Sequence, residues 1–168
     1  MSDTREPLRL RDFRAADAPQ VNRVALAAFA QFKAHYSDWP AMAASVARMA
    51  TLAEHGELIV AERDDRIIGA VTYVPPGRPK PSCFDAAWPI IRMLVVDPGH
   101  RGLGAGRALT DDCLRRARRD GSPVIALHTS PFMAAALSMY VGMGFERLRE
   151  GPIIFGVPSA VYLKRLPA

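Results

Sequence analysis

The sequence predicts a single mixed α/β domain, and three observations support that fold class. The chain has 168 residues, 49% of them apolar and 23% charged, which is enough for one full hydrophobic core but not for two. Strand-like and helix-like stretches alternate in its second half, a pattern typical of strand–helix–strand units. One apolar strand-like run also leads through a glycine-rich turn directly into a helix-like segment. We expect one domain over residues 7–168.

The first three elements are predicted to be a strand and two helices. Leu8–Phe13 alternates apolar and polar residues, as a half-buried strand does. Residues 17–32 and 40–53 carry apolar side chains at helical spacing, which predicts two amphipathic helices. Ser37 or Asp38 is expected to cap the second helix, because a side-chain oxygen there can accept from a free backbone N–H of the first turn.

The middle of the chain predicts a hairpin, a long loop and a central strand. Residues 57–63 and 66–74 are strand-like and are separated by two aspartates, which is the length of a tight antiparallel turn. Residues 75–87 contain four prolines and form a loop long enough to indicate a role in binding. Residues 88–96 are apolar almost throughout, so we expect a central strand covered on both faces.

A predicted amphipathic helix over residues 107–120 follows the glycine-rich turn. Its outer side is expected to carry two ion pairs at i,i+4 spacing, between Asp111 and Arg115 and between Asp112 and Arg116. Its inner, apolar stripe consists of Leu109, Cys113 and Ala117.

The remaining elements are a strand, a helix and two strands. Residues 123–129 predict a strand, and residues 132–141 predict a helix that begins with Ser130 as its N-cap. The last two strands are expected at residues 145–150 and 159–166. The complete order is β-α-α-β-β-β-α-β-α-β-β, without an internal repeat.

The net charge indicates a polyanionic binding partner but does not identify which kind. A net charge of +5 and a pI near 9.7 suit a polyanion, which can be nucleic acid, a membrane surface or a phosphorylated cofactor. No apolar stretch approaches the roughly 20 residues that span a bilayer, and the polar start lacks the apolar core of a secretory signal. We therefore expect a cytoplasmic protein. Cys83 and Cys113 form no CxxC pair and have no histidine at ligand spacing, so neither a disulfide framework nor a metal site is predicted.

The glycine-rich stretch "DPGHRGLGAG", residues 97–106, predicts an anion site. A strand, a glycine turn and a helix in succession bring free backbone N–H groups and the positive end of a helix dipole together. The stretch is not a Walker A loop, because the sequence contains no Gly-Lys pair. Nor is it a GxGxxG dinucleotide fingerprint, since its glycines are spaced GxGxG and the next strand ends in Leu127, His128 and Thr129 rather than in an acid.

The pattern that remains is (R/Q)xxGx(G/A), which Arg101, Gly104 and Gly106 satisfy. With it, the chain resembles the GNAT superfamily of acyl-CoA-dependent N-acyltransferases. "RMLVVDPGHRGLGAGRAL" is similar to the central motif of that family, and "SMYVGMGFERL" is similar to its later motif, with Tyr140 four residues before the Gly144–Phe145 pair. The resemblance covers essentially the whole chain.

The resemblance implies a mixed, mostly antiparallel sheet whose two central strands splay apart, with flanking helices. It also implies acetyl-CoA as co-substrate: its thioester and pantetheine arm would contact the backbone of the central strand, and its pyrophosphate would lie on the N–H groups of the glycine loop. The implied cofactor-binding residues are Leu94, Val95, Val96, Arg101, Gly102, Leu103, Gly104, Ala105, Gly106, Arg107 and Tyr140.

Acetyl transfer to an amine needs a neutral amine, a stabilised oxyanion and a proton for the leaving thiolate. Carried over from the family, Tyr140 is the proton donor and the backbone N–H near Leu94 serves the oxyanion. Many relatives carry Glu as a base on the central strand, where this chain has Ile90, so His128 at the end of the neighbouring strand is the candidate base. The family asparagine at the start of the later helix is replaced by Met133, which puts one cofactor hydrogen bond in doubt.

The amine acceptor in such folds lies between the first two helices and the loop before the central strand. Candidate wall residues there are aromatic, and Asp38 or Asp85 is a candidate partner for a cationic amine. A pocket rich in aromatic residues and poor in carboxylates favours a small hydrophobic amine, although peptide amines stay open. The wall residues are Phe32, His35, Tyr36 and Trp39.

The sequence therefore predicts an acetyl-CoA-dependent N-acetyltransferase that works by direct attack in a ternary complex, without metal, membrane or nucleic acid. Its acceptor is a primary amine of a small molecule or peptide, and the resemblance also allows a homodimer. An alternative, motivated by Ile90, is a GNAT-fold protein that binds an acyl-CoA as a sensor or scaffold without turnover. A third, a basic nucleic-acid-binding domain, is disfavoured because the arginines are spread along helix faces and no reading motif is present.

Overall fold

The computed structural model describes residues 6–167 and consists of one seven-stranded sheet with helices on both faces. The strands are β1 (Arg9–Asp12), β2 (Glu57–Arg63), β3 (Arg66–Val74), β4 (Ile90–Val96), β5 (Val124–Thr129), β6 (Glu146–Glu150) and β7 (Ala160–Arg165). The helices are α1 (Ala18–Ala30), α2 (Trp39–Val46), α3 (Ala105–Arg119) and α4 (Ala134–Gly142). Short 3-10 turns lie at Ala15–Asp17, Lys33–His35, Met49–Glu54 and Pro98–His100.

The sheet order is β1-β2-β3-β4-β5-β7-β6, and every neighbouring pair is antiparallel except β4 with β5. This confirms the predicted fold class and the predicted element order. The domain bounds stay a prediction, and their last residue, Ala168, lies outside the described residues. Among residues 6–167, no helix combines the length and the apolar character needed to cross a membrane.

The two faces of the sheet carry separate cores. On one face, Val21 and Ala25 of α1 pack with Val60 and Val95 of the strands. On the other, α3 and α4 pack against Ile59 and Ile68 among others. The predicted inner stripe of α3 is confirmed, since its three members are fully buried: Leu109, Cys113 and Ala117.

Of the two ion pairs predicted for α3, Asp112–Arg116 is confirmed at 2.9 Å but is buried rather than on the outer side, and Asp111–Arg115 is wrong. Arg116 is only 8% exposed, because acids of three elements converge on its guanidinium. It donates to Glu57 at 2.6 Å, to Asp12 at 2.7 Å and to Asp112 at 2.9 Å. Arg115 pairs with Asp112 at i,i+3 instead of with Asp111. The contacts of α3 with β1 and β2 thus add two acids to the local pair of Arg116 and bury it.

Two predicted helix boundaries are corrected by tertiary contacts. The second helix ends at Val46 and continues only as a 3-10 turn, although its cap is confirmed: Asp38 accepts from Ala41 N at 3.1 Å. Ser130 does not cap α4, which begins at Ala134. The Ser130 carbonyl instead accepts from Met133 N at 3.0 Å in a turn. That turn holds Phe132 against the ring of His35, 4.4 Å away, so the chain cannot already be helical there.

Strand β4 parts from β5 and is bulged, and both features shape the centre of the sheet. Its only paired position with β5 is Ile90 with Ala126, after which the two strands splay as predicted. Against β3, Ala70 pairs with Val95 but Thr72 pairs with Arg92, so β4 holds one extra residue. Next to Arg92 in that stretch, Met93 adopts a left-handed backbone with φ of 55°, which is uncommon for a residue other than glycine.

Candidate active site

A cleft of about 500 Å³ opens where β4 leaves β5. Its walls come from the end of α1, the end of β4, the glycine loop with the first turn of α3, and the start of α4. Its lining residues are Ala28, Phe29, Phe32, Leu94, Val96, His100, Arg101, Gly102, Gly104, Ala105, Gly106, Arg107, Phe132, Met133, Ala134, Ala135, Ala136 and Met139. The structure therefore brings most of the predicted cofactor-binding residues to one surface.

The glycine loop needs its glycines for different reasons. Gly102 and Gly104 have φ of 77° and 82°, where a side chain would strain the backbone, yet an added Cβ at either position would meet nothing within 4 Å. Gly106 has no such φ, and its added Cβ would make only ordinary contacts, the nearest at 3.7 Å from Val96. The protein itself thus requires glycine at two positions for backbone shape and tolerates alanine at the third.

The first turn of α3 has unsatisfied donors that face the cleft. The first backbone N–H groups of any helix have no intrahelical partner. In α3 the N-cap residue, Gly104, has no side chain that could accept from them. Arg101 and Arg107 are exposed and line the cleft, and neither makes a side-chain hydrogen bond or ion pair within residues 6–167. Free N–H groups, a helix dipole and two arginines together form a site for a polyanion.

The predicted contacts along β4 are divided between its two faces. Leu94 and Val96 line the cleft, whereas the side chain of Val95 is buried against α1. Leu103 is exposed in the loop and lies outside the cleft lining. Because β4 has no pairing partner on β5 beyond Ile90, the facing edge of its backbone is open toward the gap.

Tyr140 lies beside the cleft and not on its surface. The residue is 5% exposed, its ring packs edge-on against Phe145 with centroids 5.6 Å apart, and its neighbour Met139 is the residue that lines the cleft. Burial raises the pKa of the Tyr140 hydroxyl above its usual range, so this group holds its proton at neutral pH.

His128 lies on the face of the sheet that packs against α1 and the proline-rich loop. It is half-buried, and its ring lies 5.8 Å from that of Phe84. Burial, and secondly the positive charge of Arg92, lower the pKa of His128, so the imidazole is neutral at pH 7. Ile90 is fully buried in the same region, next to Phe84.

The predicted acceptor residues form one cluster around Phe132, which we call the aromatic cluster. Phe132 lies 4.4 Å from His35, 5.2 Å from Phe32 and 5.9 Å from Tyr36, measured between ring centroids. Trp39 joins it through Tyr36 at 6.1 Å. Burial raises the pKa of Tyr36 to about 12. Of these predicted residues Phe32 reaches the cleft, and Phe132, which sequence reasoning missed, joins it there.

Both carboxylates predicted for the acceptor site accept hydrogen bonds from backbone N–H groups two or three residues further along the chain. Asp38 caps α2, and Asp85 is exposed and accepts from Ala87 N at 2.8 Å within the proline-rich loop. The structure brings neither to the cleft lining. Sequence reasoning also overlooked Arg92, although a lone charge inside the apolar run "IIRMLVV" was a signal for it.

The comparisons with curated proteins find N-acetyltransferases. The chain is 33% identical over 98 residues to "N-acetyltransferase 8F1" of Rattus norvegicus, a match that covers 55% of this chain and 41% of that protein. It therefore spans less than half the length of that relative. It is 28% identical over 138 residues to "S-alkylcysteine N-acetyltransferase" of Bacillus subtilis, which covers 77% of this chain and 74% of the relative.

The comparison with solved structures and the family match agree with these relatives. The fold is similar to yncA of Salmonella typhimurium, solved with its cofactor acetyl-CoA, with a TM-score of 0.68, 19% identity and coverage of 96% of this chain and 95% of that one. The model of the "Acetyltransferase (GNAT) family" matches residues 20–145, three quarters of the chain. The chain therefore belongs to the GNAT family of acetyltransferases.

Proposed function

We propose that this protein is an acetyl-CoA-dependent N-acetyltransferase that transfers an acetyl group to a primary amine by direct attack in a ternary complex. One observation carries the proposal: a polyanion site and an open strand edge border the same cleft. The polyanion site consists of residues 101–107, and the open edge is that of β4 beyond Ile90.

The residues of the cleft fit acetyl-CoA. The free N–H groups of the first turn of α3 and the side chains of Arg101 and Arg107 would hold its phosphates. The apolar strip formed by Leu94, Val96 and Met139 would lie along the pantetheine arm. When bound, acetyl-CoA supplies an activated thioester. The Salmonella neighbour, solved with acetyl-CoA, supports this choice of co-substrate.

The bulge in β4 gives the oxyanion role a structural basis. A left-handed residue at Met93 turns the local peptide groups away from regular pairing with β3, immediately before Leu94. The backbone N–H near Leu94 would then donate to the developing oxyanion, an interaction worth roughly 3 kcal/mol in comparable sites.

At neutral pH Tyr140 is protonated and His128 is neutral, which are the states that the proposed acid and the proposed base need. Burial raises the pKa of the Tyr140 hydroxyl and makes it a weaker acid, so its donor role rests on the family motif and on its proton being present at neutral pH when the thiolate forms. An imidazole whose pKa is lowered is neutral and suits an acceptor of the amine proton. Since His128 lies outside the cleft lining, it would act through a water molecule on the acceptor side of the gap.

The acceptor would lie against the aromatic cluster. The cluster connects the end of α1 with the start of α4 and presents rings rather than carboxylates, which favours a small molecule with an apolar group over a polycation. The relative from Bacillus subtilis, named for S-alkylcysteine, supports a small-molecule amine. A homodimer and a cytoplasmic location stay predictions.

The test is to measure the release of CoA from acetyl-CoA with a broad panel of primary amines, together with CoA affinity by calorimetry. The proposal expects CoA binding and amine-dependent release. A second candidate, an acyl-CoA sensor without turnover, is favoured by one observation, the buried Ile90 where many relatives carry a base. CoA binding with no release for any amine would support the sensor, and absence of CoA binding would overturn both.

A further inference from the structure

Arg92 is a charged residue in an apolar strand and has no partner. Its side chain is half-buried, and it makes no hydrogen bond or ion pair with any described residue. Burial lowers the pKa of the Arg92 guanidinium. Half-buried arginines usually have a carboxylate or phosphate partner, because removing an unpaired charge from water is costly. Arg92 is therefore a cation for which no described residue supplies an anion.

The sheet register locates Arg92 at the mouth of the gap. Ile90 pairs with Ala126, and Arg92 and His128 each stand two residues further along the two parallel strands. Because side chains two residues apart share a face, Arg92 and His128 flank the splay on one face. The effect of Arg92 on the pKa of His128 agrees with that proximity. This face carries the packing of α1 and the proline-rich loop, so it is the face opposite α3.

A second polar group is unsatisfied at the same place. Thr72 pairs directly with Arg92 across β3 and β4, so the two side chains share a face. Thr72 is 0% exposed, and its hydroxyl has no hydrogen-bond partner among the described residues. A buried hydroxyl left without a partner costs about 1–3 kcal/mol. Thr72 is closed off from solvent, so of this pair it is the half-buried Arg92 that can meet a ligand that accepts hydrogen bonds.

The residues near Arg92 indicate the chemistry of the rest of the ligand. Met93, the residue after Arg92, packs on the aromatic cluster. The carboxylates predicted for the acceptor region, Asp38 and Asp85, are bound to backbone N–H groups elsewhere. The region thus offers a cation and apolar rings, and the two carboxylates predicted for it are engaged elsewhere.

We propose that Arg92 binds a carboxylate on the amine acceptor, and that the acceptor is an α-amino acid with an apolar side chain. The carboxylate pairs with Arg92, the apolar side chain packs against the aromatic cluster, and the α-amine faces the gap. This inference rests on the proposed transferase function and names its substrate class.

The test compares amino acids with the amines that lack only the carboxylate. Suitable pairs are leucine with 3-methylbutylamine, phenylalanine with phenethylamine, and S-methylcysteine with 2-(methylthio)ethylamine. The inference expects kcat/KM for the amino acid to exceed that of its matched amine by about tenfold or more, the range of a charge-assisted hydrogen bond. Equal values, or a preference for the plain amines, would overturn the inference and leave the transferase function intact. Failure to acetylate any amine would overturn both.

Variants separate a binding role from a structural one. Arg92→Met removes the charge but keeps an apolar stem, and it should lower kcat/KM for the amino acids about tenfold relative to that for their matched plain amines. Arg92→Lys, which keeps a positive charge, should restore part of the preference. Arg23→Met, at an exposed position of α1, is the matched control and should change nothing. An equal loss on amino acids and plain amines in Arg92→Met would contradict the assignment.

Discussion

The two ends of the site are built in opposite ways. The proposed donor end, residues 101–107, is one continuous stretch that would bind through backbone N–H groups and has two required glycines. The proposed acceptor end consists of the aromatic cluster, Arg92 and His128, which come from three separate parts of the chain and would act through side chains. A backbone site needs a particular local conformation, whereas a side-chain site needs a particular assembled fold. The donor end is therefore suited to one unvarying ligand, and the acceptor end can change its ligand by single substitutions.

The largest expected effect concerns Tyr140, the proposed proton donor, which is buried beside the cleft. Tyr140→Phe keeps the ring packing on Phe145 but removes the proton proposed for the leaving thiolate. We expect kcat to fall about 100-fold or more, the usual contribution of a positioned general acid, with CoA affinity unchanged. Tyr162→Phe, on half-exposed Tyr162 of β7, is the control and should keep full activity. If Tyr140→Phe kept the wild-type kcat, Tyr140 would not be the proton donor and would have only a packing role in the core.

A smaller effect distinguishes the glycines of the donor end. Gly104→Ala forces a side chain into a left-handed conformation and should cost about 1–2 kcal/mol of unfolding free energy. Gly106→Ala has no strained φ and room for its methyl group, so helix propensity should stabilise the protein by up to about 1 kcal/mol.

Calorimetry with CoA completes that comparison. If a pyrophosphate lies against the backbone, Gly106→Ala should weaken CoA binding about tenfold even though the variant is the more stable one. Unchanged affinity in Gly106→Ala would place the pyrophosphate away from this turn.

The smallest effect is a pH dependence at the acceptor end. Because the folded pKa of His128 is below its usual value of about 6.5, the unfolded chain binds this proton at a higher pH than the folded chain does. The contribution of His128 to stability is therefore complete above about pH 6.5 and declines as the pH falls below it. The plot of kcat/KM should be level at neutral pH and fall on the acid side.

Substitutions test whether His128 causes that acid limb. His128→Gln should lower kcat/KM and abolish the limb, and Arg92→Met should move it to higher pH, since a neighbouring positive charge is removed. His55→Gln, at an exposed position, is the control. An acid limb that persists in His128→Gln would exclude this residue as the base.

The difference between the two ends also explains what the sequence could predict. The strand, the glycine loop and the helix of the donor end follow from local patterns, and so do the hairpin and the stripe of α3. The bulge at Met93 could not be foreseen, because nothing local favours a left-handed methionine and only the pairing with β3 imposes it. The late start of α4 has a similar cause, since Phe132 is held by His35, almost 100 residues earlier in the chain.

The most direct test of the two-ended site is a crystal structure of the complex with CoA. We predict that the pyrophosphate oxygens accept hydrogen bonds from backbone N–H groups within residues 101–107, that the pantetheine arm passes Leu94 and Val96, and that the sulfur lies beside the Tyr140 hydroxyl, with Arg92 and His128 across the gap. CoA bound away from residues 101–107, or with its sulfur remote from the gap between β4 and β5, would contradict the account.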